Sequence, residues 1–277
     1  VASLRTDVRS LAEVLRALAE ASENPEPHPS LLAELGVSLS RPGFTELFDF
    51  ELPPYLSFFL TKGPVLGGEP TERTREFLAA YAPDLPTPVL CDHLGFLLAV
   101  AAAALDGEAI AFLRAHVWEQ LAPVWPLYAR AANTYGPPEY RPWAEQLART
   151  LEALAVELGE PTTLPLHLRA APAPEPPEDE EGLVELCLSP VLSGVILTRS
   201  AILTASQDSQ IPVRYGGRRF SFRSLVQADP RAALRLMRRL ALAQARWRLG
   251  EPFAIVEQWW QDRRCELLRI LDDLEQR

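Results

Sequence analysis

The stretch that most constrains the fold is Leu94–Leu105, LGFLLAVAAAAL, twelve residues that are apolar on nearly every helical face. A helix of that kind must be buried all round. It is too short to cross a bilayer, which takes roughly 20 residues. Other helices must therefore surround it, and an all-α chain follows. Asp92 stands just ahead of the run, where an N-cap carboxylate would accept free N–H groups of the first turn and meet the positive end of the helix dipole. Asp106-Gly107 breaks the run. A second helix is expected from Glu108, with Ile110, Leu113, Val117 and Leu121 on one buried stripe. Pro123 and Pro126 remove donors inside the continuing pattern, so a break is expected near residues 121–126.

The flanking segments read the same way. Leu4, Val8, Leu11, Leu15 and Leu18 share one face of a first helix over residues 3–22, with Ser3 or Thr6 as cap. A short helix is expected over residues 30–35, one turn over Glu46–Phe50, a short helix over residues 54–60, and a longer one capped by Thr71. Pro137 and Pro138 open a helix that places Trp143, Leu147, Leu151 and Leu154 on one side and stops at Gly159. Residues 160–182 hold six prolines and the run Glu178-Asp179-Glu180-Glu181, a composition that buries little and reads as a semi-extended linker. Beyond it, Thr198 is expected to cap a helix, and Ile211–Phe222 alternates about Gly216-Gly217, a hairpin signal. Asp229-Pro230 is a helix start leading to Gly250, and Pro252 opens the last helix. The organisation expected is a single helical bundle core over 1–159, a Pro/acid-rich linker over 160–182, and a helical C-terminal segment over 183–277 packed on the core.

Charge and cysteine content narrow the function classes. The net charge is −10. It is uneven, about +5 over 183–277 and about −15 over 1–182, as counted along the sequence. An acidic surface repels phosphate and disfavours nucleic acid as a partner, and it attracts a basic peptide; it also serves solubility alone. Cys91, Cys187 and Cys265 form no short spacing and no disulfide framework, which fits a reducing compartment. No run of 18 apolar residues and no signal-like N-terminal pattern occurs, so a soluble protein without direct membrane insertion is expected.

No spacing specifies catalysis, a metal or a cofactor. Asp92-His93 could be an acid–base pair, but helical neighbours do not face each other, and a cap followed by a structural histidine accounts for it more simply. His93, His116 and Cys91 lack any metal-ligand spacing. GxSxG, GxGxxG and GxxxxGK[ST] are absent. The cluster of Trp118, Trp125, Tyr128, Tyr135, Tyr140 and Trp143 is accounted for first by core packing and second by a peptide groove. Adjacent Trp259 and Trp260 diverge on a helix, placing one at a surface. Arg214, Arg218, Arg219 and Arg223 are expected to pair with the acidic linker or form a solvated face.

The order of several pieces resembles the TorD/DmsD/NarJ-type redox-enzyme maturation chaperones. They are Pro53-Pro54-Tyr55-Leu56-Ser57, Gly67-Gly68-Glu69 before a Thr/Arg/Glu-rich helix, Asp92-His93-Leu94-Gly95 before the apolar helix, Phe112-Leu113-Arg114-Ala115-His116, and Trp125-Pro126. The likeness covers about residues 44–158. In one departure, Pro88 stands four residues before Asp92, where the family usually has proline two residues before the pair. The resemblance implies a non-enzymatic, all-α cytoplasmic chaperone, monomeric or a domain-swapped dimer. It would hold an apo molybdoenzyme catalytic subunit, or its twin-arginine signal peptide, during cofactor insertion. It also implies a client contact at Asp92, His93, Pro88 and Leu94, with Glu119, Trp125 and Tyr128 as a second set. Two other classes stand beside it: a small-molecule-binding helical protein or enzyme, and a structural subunit of a membrane complex.

Overall fold

The computed structural model describes residues 2–30, 35–63, 65–159, 163–214 and 216–276, with side chains described from Ser10 onward. Among the described residues the chain is 71% helical in fifteen helices, with no strand. The first half comprises α1 (Ala2–Glu23), α2 (Arg41–Phe44), α3 (Leu56–Leu60), α4 (Glu69–Tyr81), α5 (Leu94–Asp106), α6 (Ile110–His116), α7 (Trp125–Tyr135) and α8 (Arg141–Leu158). After α9 (Leu166–Arg169) come α10 (Glu180–Leu188), α11 (Pro190–Ser193), α12 (Arg199–Ser209), α13 (Arg218–Ala228), α14 (Pro230–Gln244) and α15 (Ala254–Glu275). Two π-helical turns, Thr45–Glu51 and Val117–Leu121, continue α2 and α6.

The apolar run forms α5, and α1 packs along it more extensively than any other pair of helices pack. Leu15 and Leu18 of α1 are buried there; Leu4 and Val8 lie outside the described side chains, as do Ser3 and Thr6. Most of the expected helix over residues 30–35 also lies outside the described residues. Leu113, Val117 and Leu121 are buried as the stripe predicts, but Ile110 is 52% exposed. Glu108, with φ 53°, turns the chain so that the helix starts at Ile110 and presents that first residue to solvent.

The proline-bearing break after Leu121 is present: π-helical geometry ends there, and α7 starts at Trp125 with Pro126 in its first turn. Gly159, at φ 81°, follows the end of α8, and Thr198 caps α12 by accepting from Ala201 N at 3.3 Å. The start at Asp229-Pro230 is also present, but α14 ends at Gln244 rather than near Gly250. Inside the proline-rich stretch, α9 forms a short turn that buries His167 and Leu168, and residues 171–177 have no regular structure.

The hairpin expected over 211–222 does not form. Gly217 instead leads into α13, on which Phe222, Leu225 and Val226 are buried. That spacing is helical, and the core rewards it. Arg218, the first residue of α13, lies over the Phe58 ring at 4.3 Å and donates to Leu197 O at 2.9 Å. Burial lowers its pKa to about 9. Arg219 and Arg223 both pair with Glu181 at the start of α10, joining the arginine cluster to the acidic run.

One apolar core extends from Ala12 in α1 to Leu271 in α15. Long-range polar contacts tie its two ends together. Trp260 Nε1 donates to Pro123 O at 2.9 Å, while Trp259 is only half-buried. Gln244 accepts from Ile196 N at 2.9 Å and donates to Ile196 O at 2.8 Å. Gly194 has φ 67°, and a Cβ there would stand 2.7 Å from Arg264 N and 2.9 Å from Trp260 O. Only glycine lets α11 approach α15 that closely.

Candidate functional site

Around Asp92, three segments far apart in sequence converge. Asp92 is fully buried. It does not cap α5. Its Oδ2 accepts from Ser57 N at 2.7 Å and its Oδ1 from Thr71 Oγ1 at 2.8 Å. Ser57 lies in the first turn of α3, so the carboxylate caps a different helix in space, and it also holds α4 through Thr71. Burying a carboxylate is costly unless its lone pairs are met, and here both oxygens are met by protein donors.

His93 takes the cap position on α5, its Nδ1 accepting from Gly95 N at 3.1 Å. In that state the ring proton sits on Nε2. The ring stands edge-on to Tyr55 at 4.8 Å and lies 3.5 Å from Glu23 Oε1. The Tyr55–His93 bridge is closed by Leu56 N donating to Asp92 O at 3.0 Å and Leu94 N donating to Pro54 O at 2.8 Å. Burial first, then the charges of Asp92, Glu23 and Asp49, raises the Tyr55 hydroxyl above its ordinary pKa. Burial likewise raises the Cys91 thiol, whose Sγ–H donates to Thr71 O at 3.5 Å.

This buried framework carries two surface loops. Ser57 Oγ accepts from Gly67 N at 3.0 Å, fixing residues 65–68 beside Leu90; a Cβ on Gly67 would sit 3.8 Å from Leu90 Cδ2. Gly67 and Gly68, both at positive φ, shape the turn into α4, which begins at Glu69, ahead of the expected cap Thr71. Arg75 Nη2 donates to Val89 O at 2.6 Å and holds the second loop, residues 86–90. Most of the residues these loops present are apolar: Val89 is 83% exposed, Val65 56% and Leu66 49%, with Pro86 and Pro88 also exposed on either side of the polar Thr87.

The residues singled out from the sequence are therefore split. Pro88 is on the surface and His93 is half-buried, while Asp92 and Leu94 lie inside. Trp125 and Tyr128 are wholly buried and offer no surface to a partner; Tyr128 OH donates to Leu52 O at 2.7 Å, and burial raises its pKa well above the ordinary value. The aromatic cluster is core, because Trp125, Tyr128, Tyr140 and Trp143 pack edge to face on one another. Glu119 is remote from the loops and accepts from Leu166 N at 2.7 Å. Val65, Leu66 and Val89 were missed by sequence reasoning; their signal was an apolar residue beside Gly or Pro in a predicted loop. Among the described residues no group of three or more His, Cys, Asp or Glu is placed to hold a metal ion, and no helix is long and apolar enough to cross a membrane.

Residues 2–122 match the family model described as the nitrate reductase delta subunit. The match takes in α1 to α6, both loops and Asp92. Searches of curated proteins and of solved structures return no match.

Proposed function

We propose, from the match of residues 2–122 to the nitrate reductase delta subunit family, a molybdoenzyme maturation chaperone family of NarJ/TorD type, that this protein is such a chaperone and holds an apo molybdoenzyme catalytic subunit through the face formed by residues 65–68 and 86–90. The observation that carries this reading is the pairing of a rigid, fully satisfied buried anchor at Asp92 with two apolar loops left in solvent. Exposed apolar groups grouped in this way mark interaction surfaces. Preorganisation by the anchor lowers the ordering entropy that binding would otherwise cost. Asp92 and Leu94 act here by positioning, while Pro88 and His93 stand at the edge of the contact.

The work required is reversible shielding of apolar client surface, which needs no covalent chemistry. The client segment is the twin-arginine signal peptide or the mature subunit next to it, met in the cytoplasm. The net negative charge of residues 1–182 favours the peptide's arginines, and the loops favour the apolar stretch that follows them.

The test is calorimetric titration of a twin-arginine signal peptide, and of its Arg→Gln version, at low and about 0.5 M salt, where exposed charges are screened over about 4 Å. The native peptide should lose affinity several-fold with salt, and the Gln version should show little salt dependence. Val65→Asp with Val89→Asp should weaken both peptides. Unchanged binding by the loop variant would remove this face as the site. Equal affinity for both peptides at low salt would point to the mature subunit.

A further inference from the structure

A groove on another part of the surface has a different chemistry. It lies between α4 and α6, is closed by the segment carrying α9, and encloses about 620 Å³. That size suits a small ligand.

One wall is a flat aromatic surface. The Phe77 ring stacks on Tyr81 at 4.8 Å and on Phe112 at 6.0 Å, and Tyr81 is largely exposed. The opposite wall is the π-helical turn Val117–Leu121, which places Glu119 and Gln120 in the groove. Helical turns of this kind are frequent at functional sites.

His167 of α9 lies between the walls and is buried. Its Nε2 is 3.3 Å from Gln120 Oε1, an atom that also meets Thr74 Oγ1 at 2.7 Å. An amide oxygen only accepts, so Nε2 carries the ring proton and Nδ1 is left as an acceptor. That Nδ1 is buried without a hydrogen-bond partner among the described residues. Burial, with the charge of Arg73 beside it, lowers the ring's pKa to about 4 and keeps it neutral. The ring is therefore a neutral floor that adds no charge of its own to the groove.

The charges at the groove are mostly positive. Arg73 is paired with Glu69. Arg114 and Arg169 are exposed and have no acidic partner among the described residues. Glu119 is the acid on the wall, and its Oε2 is held by the Leu166 N–H.

We propose that this groove binds a small organic anion with a flat apolar body. The body lies on Phe77 and Tyr81, and the acidic group meets Arg114 and Arg169. The site is separate from the client face, and its test does not depend on that reading.

The probe is 8-anilinonaphthalene-1-sulfonate, which has both features, titrated by fluorescence into the full chain. N-phenyl-1-naphthylamine, which lacks the sulfonate, is the neutral comparison. A single saturable site is expected for the sulfonate. Arg114→Ala with Arg169→Ala should weaken it about tenfold or more, as expected for loss of charge-assisted contacts, while leaving the neutral dye unchanged. Both arginines are exposed, so the variant should fold. Arg231→Ala with Arg246→Ala, exposed arginines elsewhere, should change neither dye. Equal binding of the two dyes would overturn the proposal, as would native affinity in the Arg114/Arg169 variant or an equal loss in the Arg231/Arg246 variant.

Discussion

Asp92 is the residue whose replacement should be felt most widely. Asp92→Ala removes the acceptor for Ser57 N and for Thr71 Oγ1. Hydrogen bonds to a charged group contribute about 1.5–3 kcal/mol each. Relief of the carboxylate's desolvation offsets part of that, leaving an expected loss of about 2–4 kcal/mol. Asp92→Asn should behave differently. Its remaining oxygen can accept from the Ser57 N–H, which has no alternative role. Its amide can donate to Thr71 Oγ1, because a hydroxyl can turn from donor to acceptor. The expected loss is about 1 kcal/mol or less. Thr71→Val should cost about 1–2 kcal/mol and should couple to Asp92→Ala by at least about 0.5 kcal/mol in a double-mutant cycle. The assay is urea unfolding followed by tryptophan fluorescence, with the urea midpoint compared at constant m. Asp92→Asn as damaging as Asp92→Ala, or additive Asp92 and Thr71 variants, would refute the arrangement. So would a silent His93→Ala, since His93 rather than Asp92 is the residue that caps α5.

The buried imidazoles of His116 and His167 have pKa values lowered to about 4 by burial; their contribution to stability is full above the unfolded value near 6.5 and is lost as pH falls toward 4. By pH 5 the loss should be about 2 kcal/mol for each ring, partly offset by Glu51, whose pKa burial raises; urea midpoints at pH 7 and 5 measure it, and His116→Gln should shrink the difference. Gly194→Ala should cost at least about 2 kcal/mol through its left-handed backbone and the contact with Arg264 N, read as a lowered Tm; a neutral result would mean that α11 does not lie this close to α15. Limited proteolysis should cut first within residues 171–177, where the chain is largely exposed and without regular structure, and resistance there while other loops are cut would contradict the linker reading.

Much of the local structure was written in the sequence. The all-round apolar run had to be a buried helix, and the prolines near 121–126 had to interrupt one, because both rules act within a turn or two of chain. Thr198 and Gly159 mark helix ends for the same reason: a cap is satisfied by backbone groups a few residues away. Pro-Pro-Tyr-Leu-Ser and Asp-His-Leu-Gly, two of the pieces that carried the resemblance, lie within residues 2–122, where the family model matches. What the tertiary structure decided were the pairings between residues distant in the chain. Asp92 looked like the cap of its own helix, yet its carboxylate serves Ser57 and Thr71. Nothing in local spacing says that those segments meet there. Phe220-Ser221-Phe222 fits a period of two as well as a helix, and the choice fell to the core surface waiting for Phe222, Leu225 and Val226. Trp125 and Tyr128 could have lined a groove or filled the core, and burial against Trp143, Phe59 and Leu52 settled it. A sequence pattern fixes which face of a helix is apolar; which other face covers it depends on the packing of the whole chain.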